Sequence, residues 1–109
     1  MKKGEIWLFE LPSSNGSEQT GNRPGIIISS ISTANTVVVI PFTTNLQALR
    51  FPFTLAVDVS KENGLTEESV ALVFQIRAID KKRIMKQVGT LETKYIKEVE
   101  NMLKKLFGL

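Results

Sequence analysis

Cysteine and histidine are both absent from this 109-residue chain. Without cysteine there is no disulfide, no thiolate metal site and no thiol nucleophile, and a reducing, cytoplasmic setting is expected. Without histidine the chain lacks the side chain that most often serves as an acid or base near neutral pH and as a metal ligand. Any chemistry therefore depends on arginine, lysine, carboxylates or hydroxyls, and we expect no metal ion and no other cofactor.

Long hydrophobic runs are also missing, because no apolar segment approaches the ~20 residues of a membrane span. The first apolar run is short and is interrupted by Glu10, so neither a signal peptide nor a membrane helix is expected. The 14 basic and 11 acidic residues leave a net charge of +3, which favours a polyanionic partner only weakly. A chain of this length predicts a single domain spanning residues 1–109.

Most of the apolar residues follow a strand pattern rather than a helical one. Short β-branched or alternating runs predict strands at residues 5–11, 26–31, 36–40, 51–59, 69–80 and 84–89. The period then changes to that of an amphipathic helix from Thr93 onward, and Gly108 is its predicted C-terminal cap. The fold class predicted from these elements is mainly β with a C-terminal α-helix, arranged as a strongly bent antiparallel barrel.

Two polar segments adjoin these strands and contain the candidate site residues. Residues 16–25 form a glycine-rich stretch that we interpret as a mobile loop, with Arg23 delivered just ahead of the second strand. The alternative is an ordinary hairpin loop with a solvated charge. The third strand is expected to stop at Pro41, which leaves Thr43 and Thr44 at its end.

Two further groups of polar residues occur near the end of the strand region. Gln75 and Arg77 lie on one face of the strand predicted at 69–80 and could contact phosphates or bases, whereas a structural ion pair of Arg77 is the alternative. Lys81 and Lys82 belong to a charged turn that is either solvated or in contact with phosphates.

Four sequence blocks occur in one order along almost the whole chain. They are Gly4-Glu5-Ile6-Trp7-Leu8, Gly16-Ser17-Glu18-Gln19 with Gly21-Asn22-Arg23-Pro24, Val39-Ile40-Pro41-Phe42-Thr43-Thr44, and Ser69-Val70 with Gln75-Ile76-Arg77-Ala78-Ile79-Asp80. Together they resemble the MazF/PemK family of toxin endoribonucleases. Phe74 departs from the pattern, because many family members carry an acidic residue at that position.

The resemblance implies an SH3-like barrel and a homodimer that cuts single-stranded RNA without a metal, leaves a 2′,3′-cyclic phosphate and is neutralised by a cognate antitoxin. Arg23 and Thr43 match the catalytic positions of the family, and Glu18 is our candidate for the general base. Ile79, Ile84 and residues 106–109 are apolar candidates for the dimer contact. Contacts to RNA are predicted for Gln19, Asn22, Thr44, Gln75, Arg77, Lys81 and Lys82.

Two other functions remain open at the level of sequence. The gyrase poisons that resemble CcdB share the fold and bind their target without cutting nucleic acid, but they lack the Arg-Pro and Pro-Phe-Thr elements found here. A barrel that binds RNA or a partner without catalysis is the other alternative.

Overall fold

The structure is a computed structural model that describes residues 1–11 and 21–109. In these residues the chain folds into antiparallel strands and one α-helix. The seven strands of this described part are β1 (Glu5–Leu11), β2 (Gly21–Ser30), β3 (Thr36–Thr43), β4 (Thr54–Val57), β5 (Ser69–Leu72), β6 (Arg77–Asp80) and β7 (Ile84–Thr90). The helix α1 is Thr93–Phe107. Short 3-10 turns occur at Leu46–Arg50, Val73–Gln75 and Lys81–Arg83. The predicted mainly β class with a C-terminal helix is confirmed.

The strand β3 lies at the centre of the sheet. The strand order is β4-β5-β3-β2-β1-β7, and β6 pairs with the same edge of β3 as β5 does, at the other end of the strand. Bulges interrupt the pairing of β2 with β3 and of β1 with β7. Bulges bend strands and increase their twist. They therefore allow a sheet of seven short strands to curl around a core.

The second strand begins earlier than its sequence predicts. Arg23 and Pro24 lie inside β2, where they pair with Phe9 and Leu8 of β1. Pairing of β2 with β3 begins only at Gly25, so Pro24 sits outside that ladder and its missing N–H costs no bond there. The interpretation of residues 21–25 as mobile loop is therefore wrong, and Arg23 is held by a strand.

The strand predicted at residues 69–80 is also wrong as a single element. It is divided into β5 and β6 by the 3-10 turn at Val73–Gln75. The break faces Ile40 and Pro41 of β3, between the rungs made by β6 and those made by β5. Gln75 and Arg77 consequently lie on different elements and do not share a strand face. The strand expected at 51–59 is shortened to Thr54–Val57, and β3 continues through Pro41 to Thr43.

Two apolar clusters fill the two sides of the bent sheet. The larger contains Ile6, Ile26, Phe42 and Val57, and α1 covers it with Val99. The smaller is built around Phe9, Ile27, Val37, Val39 and Ile79, with Trp7 and Ile84 packed against it. Ile79 is only 5% exposed, so the expectation that it is free for a dimer contact is wrong.

The helix closes the larger cluster as its pattern predicts. Its C-terminal cap is Gly108 in a left-handed conformation with φ of 71°, as expected from the sequence. Among the residues that the structure describes, no helix is long and apolar enough to cross a membrane.

Candidate active site

A polar cleft opens where β2 and β3 run past the start of β5. Its volume is about 230 Å³. The residues that line it are Asn22, Arg23, Pro24, Phe42, Thr43, Thr44 and Ser69. The cleft thus brings together Arg23 and Thr43, which are 20 positions apart in the chain, with Asn22 and Thr44 beside them.

Arg23 is anchored at one corner of this cleft. Its Nη1 donates a hydrogen bond to the carbonyl oxygen of Phe42 at 3.0 Å, which ties the guanidinium of β2 to the backbone of β3. The side chain is half-buried, and this burial lowers the pKa of Arg23 from its ordinary value. A guanidinium keeps its proton in proteins, so the result is a fixed positive charge with reduced hydration. Such a charge attracts a phosphate more strongly than one in bulk water does.

Thr43 lines the same opening, directly after the residue that anchors Arg23. It is 7% exposed, and its Oγ1 accepts a hydrogen bond from the backbone N–H of Asn45 at 3.2 Å. Because the oxygen is occupied as an acceptor and its position is fixed, the hydroxyl hydrogen is available to donate to a bound anion. A guanidinium and a hydroxyl that converge in this way can hold one phosphate between them.

Comparison with known protein families identifies the kind of protein in which this cleft occurs. The model of the PemK-like, MazF-like toxins of type II toxin-antitoxin systems matches residues 2–107. The chain belongs to this family. The family predicted from the four sequence blocks is therefore confirmed.

Individual members of the PemK/MazF family agree with the assignment. The chain is 35% identical to the endoribonuclease MazF of Staphylococcus saprophyticus subsp. saprophyticus over 100% of its own length and 92% of that protein. It has the fold of MazF from Deinococcus radiodurans, with a TM-score of 0.81 at 21% identity over 100% of this chain and 97% of that one. It is also similar to a solved MazE-MazF structure from the same organism, with a TM-score of 0.77 at 23% identity, over 100% and 96% of the two chains. These matches confirm the predicted MazF-type fold and the endoribonuclease class.

Ser69 lines the cleft although sequence reasoning did not select it as a site residue. It is 3% exposed, and its Oγ donates to the carbonyl of Glu67 at 2.9 Å. Its neighbour Val70 pairs with Thr43 across β5 and β3, which brings Ser69 to the opening. The only sequence signal was its place at the start of the fourth family block.

Among the described residues, the remaining predicted contacts lie outside the cleft. Gln75 and Arg77 are exposed beside the central part of β3, and neither lines the opening. Arg77 makes no ion pair within the described chain, so the structural alternative for it gains no support. Glu18 and Gln19 fall within residues 12–20 and lie outside the described residues.

The charged turn is closer to the cleft than its sequence position suggests. Arg83 forms a 3.7 Å ion pair with Glu10, and Glu10 pairs with Asn22 across β1 and β2. Within the turn, Nζ of Lys81 donates to the carbonyl of Ile31 at 2.6 Å, whereas Lys82 is exposed. Lys82 is therefore the better placed of the two lysines to meet a phosphate.

Proposed function

We propose that this endoribonuclease toxin cuts single-stranded RNA in the cleft between β2 and β3. The observation that carries the proposal is the convergence of a half-buried, charged guanidinium and a fixed hydroxyl on one polar opening. Asn22 and Thr44, both exposed at its rim, are available to contact the RNA on either side of the reacting phosphate.

The reaction that suits these groups is attack by the 2′-oxygen of the RNA on the adjacent phosphorus. The O2′–P bond forms while the P–O5′ bond breaks. The 2′-hydroxyl gives up its proton and the departing 5′-oxygen takes one from water, which leaves a 2′,3′-cyclic phosphate and a 5′-hydroxyl. Negative charge accumulates on the phosphoryl oxygens in the transition state, and the guanidinium of Arg23 stabilises it with its paired N–H donors. Thr43 donates to one of the same oxygens and fixes the phosphate in position.

The proton of the 2′-hydroxyl needs an acceptor, and Arg23 is a poor one because a guanidinium keeps its own proton in proteins. Glu18 remains the proposed base. In the described part of the cleft the polar side chains are neutral or cationic, which supports a mechanism based on charge stabilisation without a divalent ion.

The biological setting proposed here follows from this substrate. Cleavage of messenger RNA at a short preferred sequence would inhibit translation and growth, and we propose that the reaction takes place in the cytoplasm. We propose residues 1–109 as one functional domain, acting as a homodimer and neutralised by a cognate antitoxin. The antitoxin is supported by the MazE-MazF complex known for the Deinococcus radiodurans relative.

Cleavage of a long single-stranded RNA in the presence of EDTA tests the proposal. The wild-type protein should produce fragments with 2′,3′-cyclic phosphate and 5′-hydroxyl ends. Arg23→Ala should lower turnover by about 10²-fold or more with a smaller loss of RNA affinity, because the guanidinium acts mainly on the transition state. Arg23→Lys should recover only part of the rate, since an ammonium lacks the planar fork.

Lys97→Ala on the exposed side of α1 is the control and should cut at the wild-type rate. A folded Arg23→Ala protein with full activity would remove Arg23 from the site. Restoration of lost cleavage by magnesium would contradict the metal-independent mechanism. Tight RNA binding without any cleavage by the wild-type protein would favour the silent-barrel alternative.

A further inference from the structure

A second depression adjoins the proposed cleavage cleft and differs from it in character. It has a volume of about 220 Å³ and shares Pro24, Thr44 and Ser69 with the cleft. Its remaining lining is Leu8, Gly64, Leu65, Thr66 and Val88. This lining is mostly apolar, with hydroxyls at the rim, whereas the cleft beside it is polar and contains the charge of Arg23.

One wall of this depression is rigidly built by the loop at residues 58–66. Asn63 is fully buried and uses its whole side-chain amide inside the loop region: Oδ1 accepts from the N–H groups of Ser60 and Leu65, and Nδ2 donates to the carbonyl of Asp58 and to Glu92. The distances lie between 2.8 and 3.1 Å. The loop is therefore fixed before any ligand arrives.

Gly64 fixes the position of this loop against β7. Its φ is 70°, and a Cβ added there would collide with the backbone carbonyl of Val88. The glycine thus allows the loop and β7 to approach directly behind the depression. A preformed pocket loses little ordering entropy when a ligand binds, which favours its use as a recognition site.

We propose that this depression is a nucleobase pocket, which holds one unpaired base of the RNA next to the phosphate that is cut. The inference rests on the proposed RNA cleavage and deepens it. The position of the pocket beside Arg23 indicates what it binds. In RNA, one sugar separates the apolar face of each base from a charged phosphate. Here, one shared wall separates the apolar pocket from the cleft that contains Arg23. A volume below the ~300 Å³ of the smallest usual ligand pockets suits a base rather than a whole nucleoside.

The pocket would contribute to the choice of cleavage site. Single-stranded RNA is recognised mainly through bases that are splayed out, packed on apolar surfaces and hydrogen-bonded at their edges. Leu8, Leu65 and Val88 provide the apolar surface, and the exposed hydroxyls of Thr44 and Thr66 lie where a base edge would emerge.

Short RNA substrates with one abasic nucleotide at successive positions around the cut provide the test. For wild-type protein, loss of one particular base beside the scissile phosphate should lower kcat/KM by at least about 10-fold. Thr66→Phe, which fills the pocket from its exposed rim, should lower kcat/KM on intact RNA by a similar factor and should abolish the extra penalty of that abasic substrate. Thr33→Phe in the turn after β2 is the matched control and should keep the wild-type pattern.

Leu8→Ala provides a second variant that removes surface from the opposite wall instead of filling the space. It should reduce the abasic penalty without blocking the cut, and the thermal midpoints of both variants are measured to confirm folding. A wild-type abasic pattern in both folded variants would overturn the pocket. A Thr66→Phe defect that is equal on intact and abasic RNA would also overturn it, because it would indicate a protein partner or the RNA backbone in this space.

Binding of the same oligonucleotides with a 2′-deoxy nucleotide at the cut separates this inference from the proposed cleavage. An abasic penalty on binding that Thr66→Phe abolishes supports the pocket even if no cleavage is detected. Cleavage by wild-type protein without any abasic penalty supports the reaction and overturns the pocket.

Discussion

The two proposed catalytic side chains are fixed by backbone groups rather than by each other. Arg23 donates to the carbonyl of Phe42, and Thr43 accepts from the N–H of Asn45. These two bonds set the spacing of the guanidinium and the hydroxyl before RNA is bound. Preorganisation of this kind is the usual origin of transition-state stabilisation in charged sites.

Replacement of Thr43 separates the role of its hydroxyl from that of its shape. Thr43→Val keeps the volume and should lower the single-turnover rate by roughly 10- to 100-fold, because one donor to the phosphate is lost. The loss should be smaller than that of Arg23→Ala, since a neutral donor contributes less than a charged one. Thr43→Ser should retain most activity. Equal activity of the valine and serine variants would show that the hydroxyl does not act on the phosphate.

Glu5 provides a residue-scale prediction about pH. The Nε1–H of Trp7 donates to its carboxylate at 2.9 Å, and this bond, followed by one from the N–H of Lys2, holds the pKa of Glu5 below its ordinary value. A lowered folded pKa means that the stabilisation is present above the unfolded pKa of about 4.3 and is lost as the pH falls through the folded value. Glu5→Gln should therefore show a smaller drop in thermal midpoint between pH 6 and pH 3 than wild type.

Glu98→Gln at an exposed helical position is the matched control for this experiment. It should leave the acid dependence close to that of wild type. An acid dependence of Glu5→Gln identical to that of wild type would remove the carboxylate from the account of acid stability.

The loop at residues 58–66 is an element in which one side chain, that of Asn63, makes most of the side-chain hydrogen bonds. Asn63→Ala would leave two loop N–H groups and one carbonyl without partners in a buried site. We expect the free energy of unfolding to fall by about 2–3 kcal/mol, measured by urea denaturation. Asn101→Ala, exposed on α1, should change it by less than about 0.5 kcal/mol. Similar values for the two variants would contradict the proposed organisation of the loop.

The whole molecule presents an exposed apolar surface that we associate with the proposed homodimer. It is formed by Leu46, Leu49, Phe51 and Phe74, which are between 40% and 49% exposed, and the rings of Phe51 and Phe74 lie 6.2 Å apart. Contiguous exposed apolar residues of this kind often mark interaction sites. A two-fold contact would bury the same surface of both subunits.

Phe51→Asp should shift the protein from about twice 12.2 kDa to the monomer mass in light scattering at micromolar concentration. The charge would be buried without a partner in the contact. Phe107→Asp at the end of α1 is the matched control, because that ring is 59% exposed and belongs to the other apolar candidate for the contact. Dissociation by the second variant alone would place the contact at the helix end.

Sequence patterns predicted those elements whose signals are local. The β-branched run of β3, the amphipathic period of α1 and the glycine after it all report on the backbone in which they occur, so their types and the cap at Gly108 are confirmed. Because histidine and cysteine are absent, the candidate catalytic groups are limited to arginine, lysine, carboxylates and hydroxyls. The spaced family blocks then selected Arg23 and Thr43.

Only the tertiary structure decided how these elements are joined. Arg23 lies in a strand rather than a loop because cross-strand pairing with Phe9 overrides the turn preference of glycine and proline. The break at Val73–Gln75 lies where β3 changes its partner from β6 to β5, which alternation along one strand does not reveal. The apolar depression beside the cleft depends on Leu8, Gly64 and Val88, which are far apart in the chain. Local sequence contains no record of such contacts, since they exist only once the sheet has curled around its core.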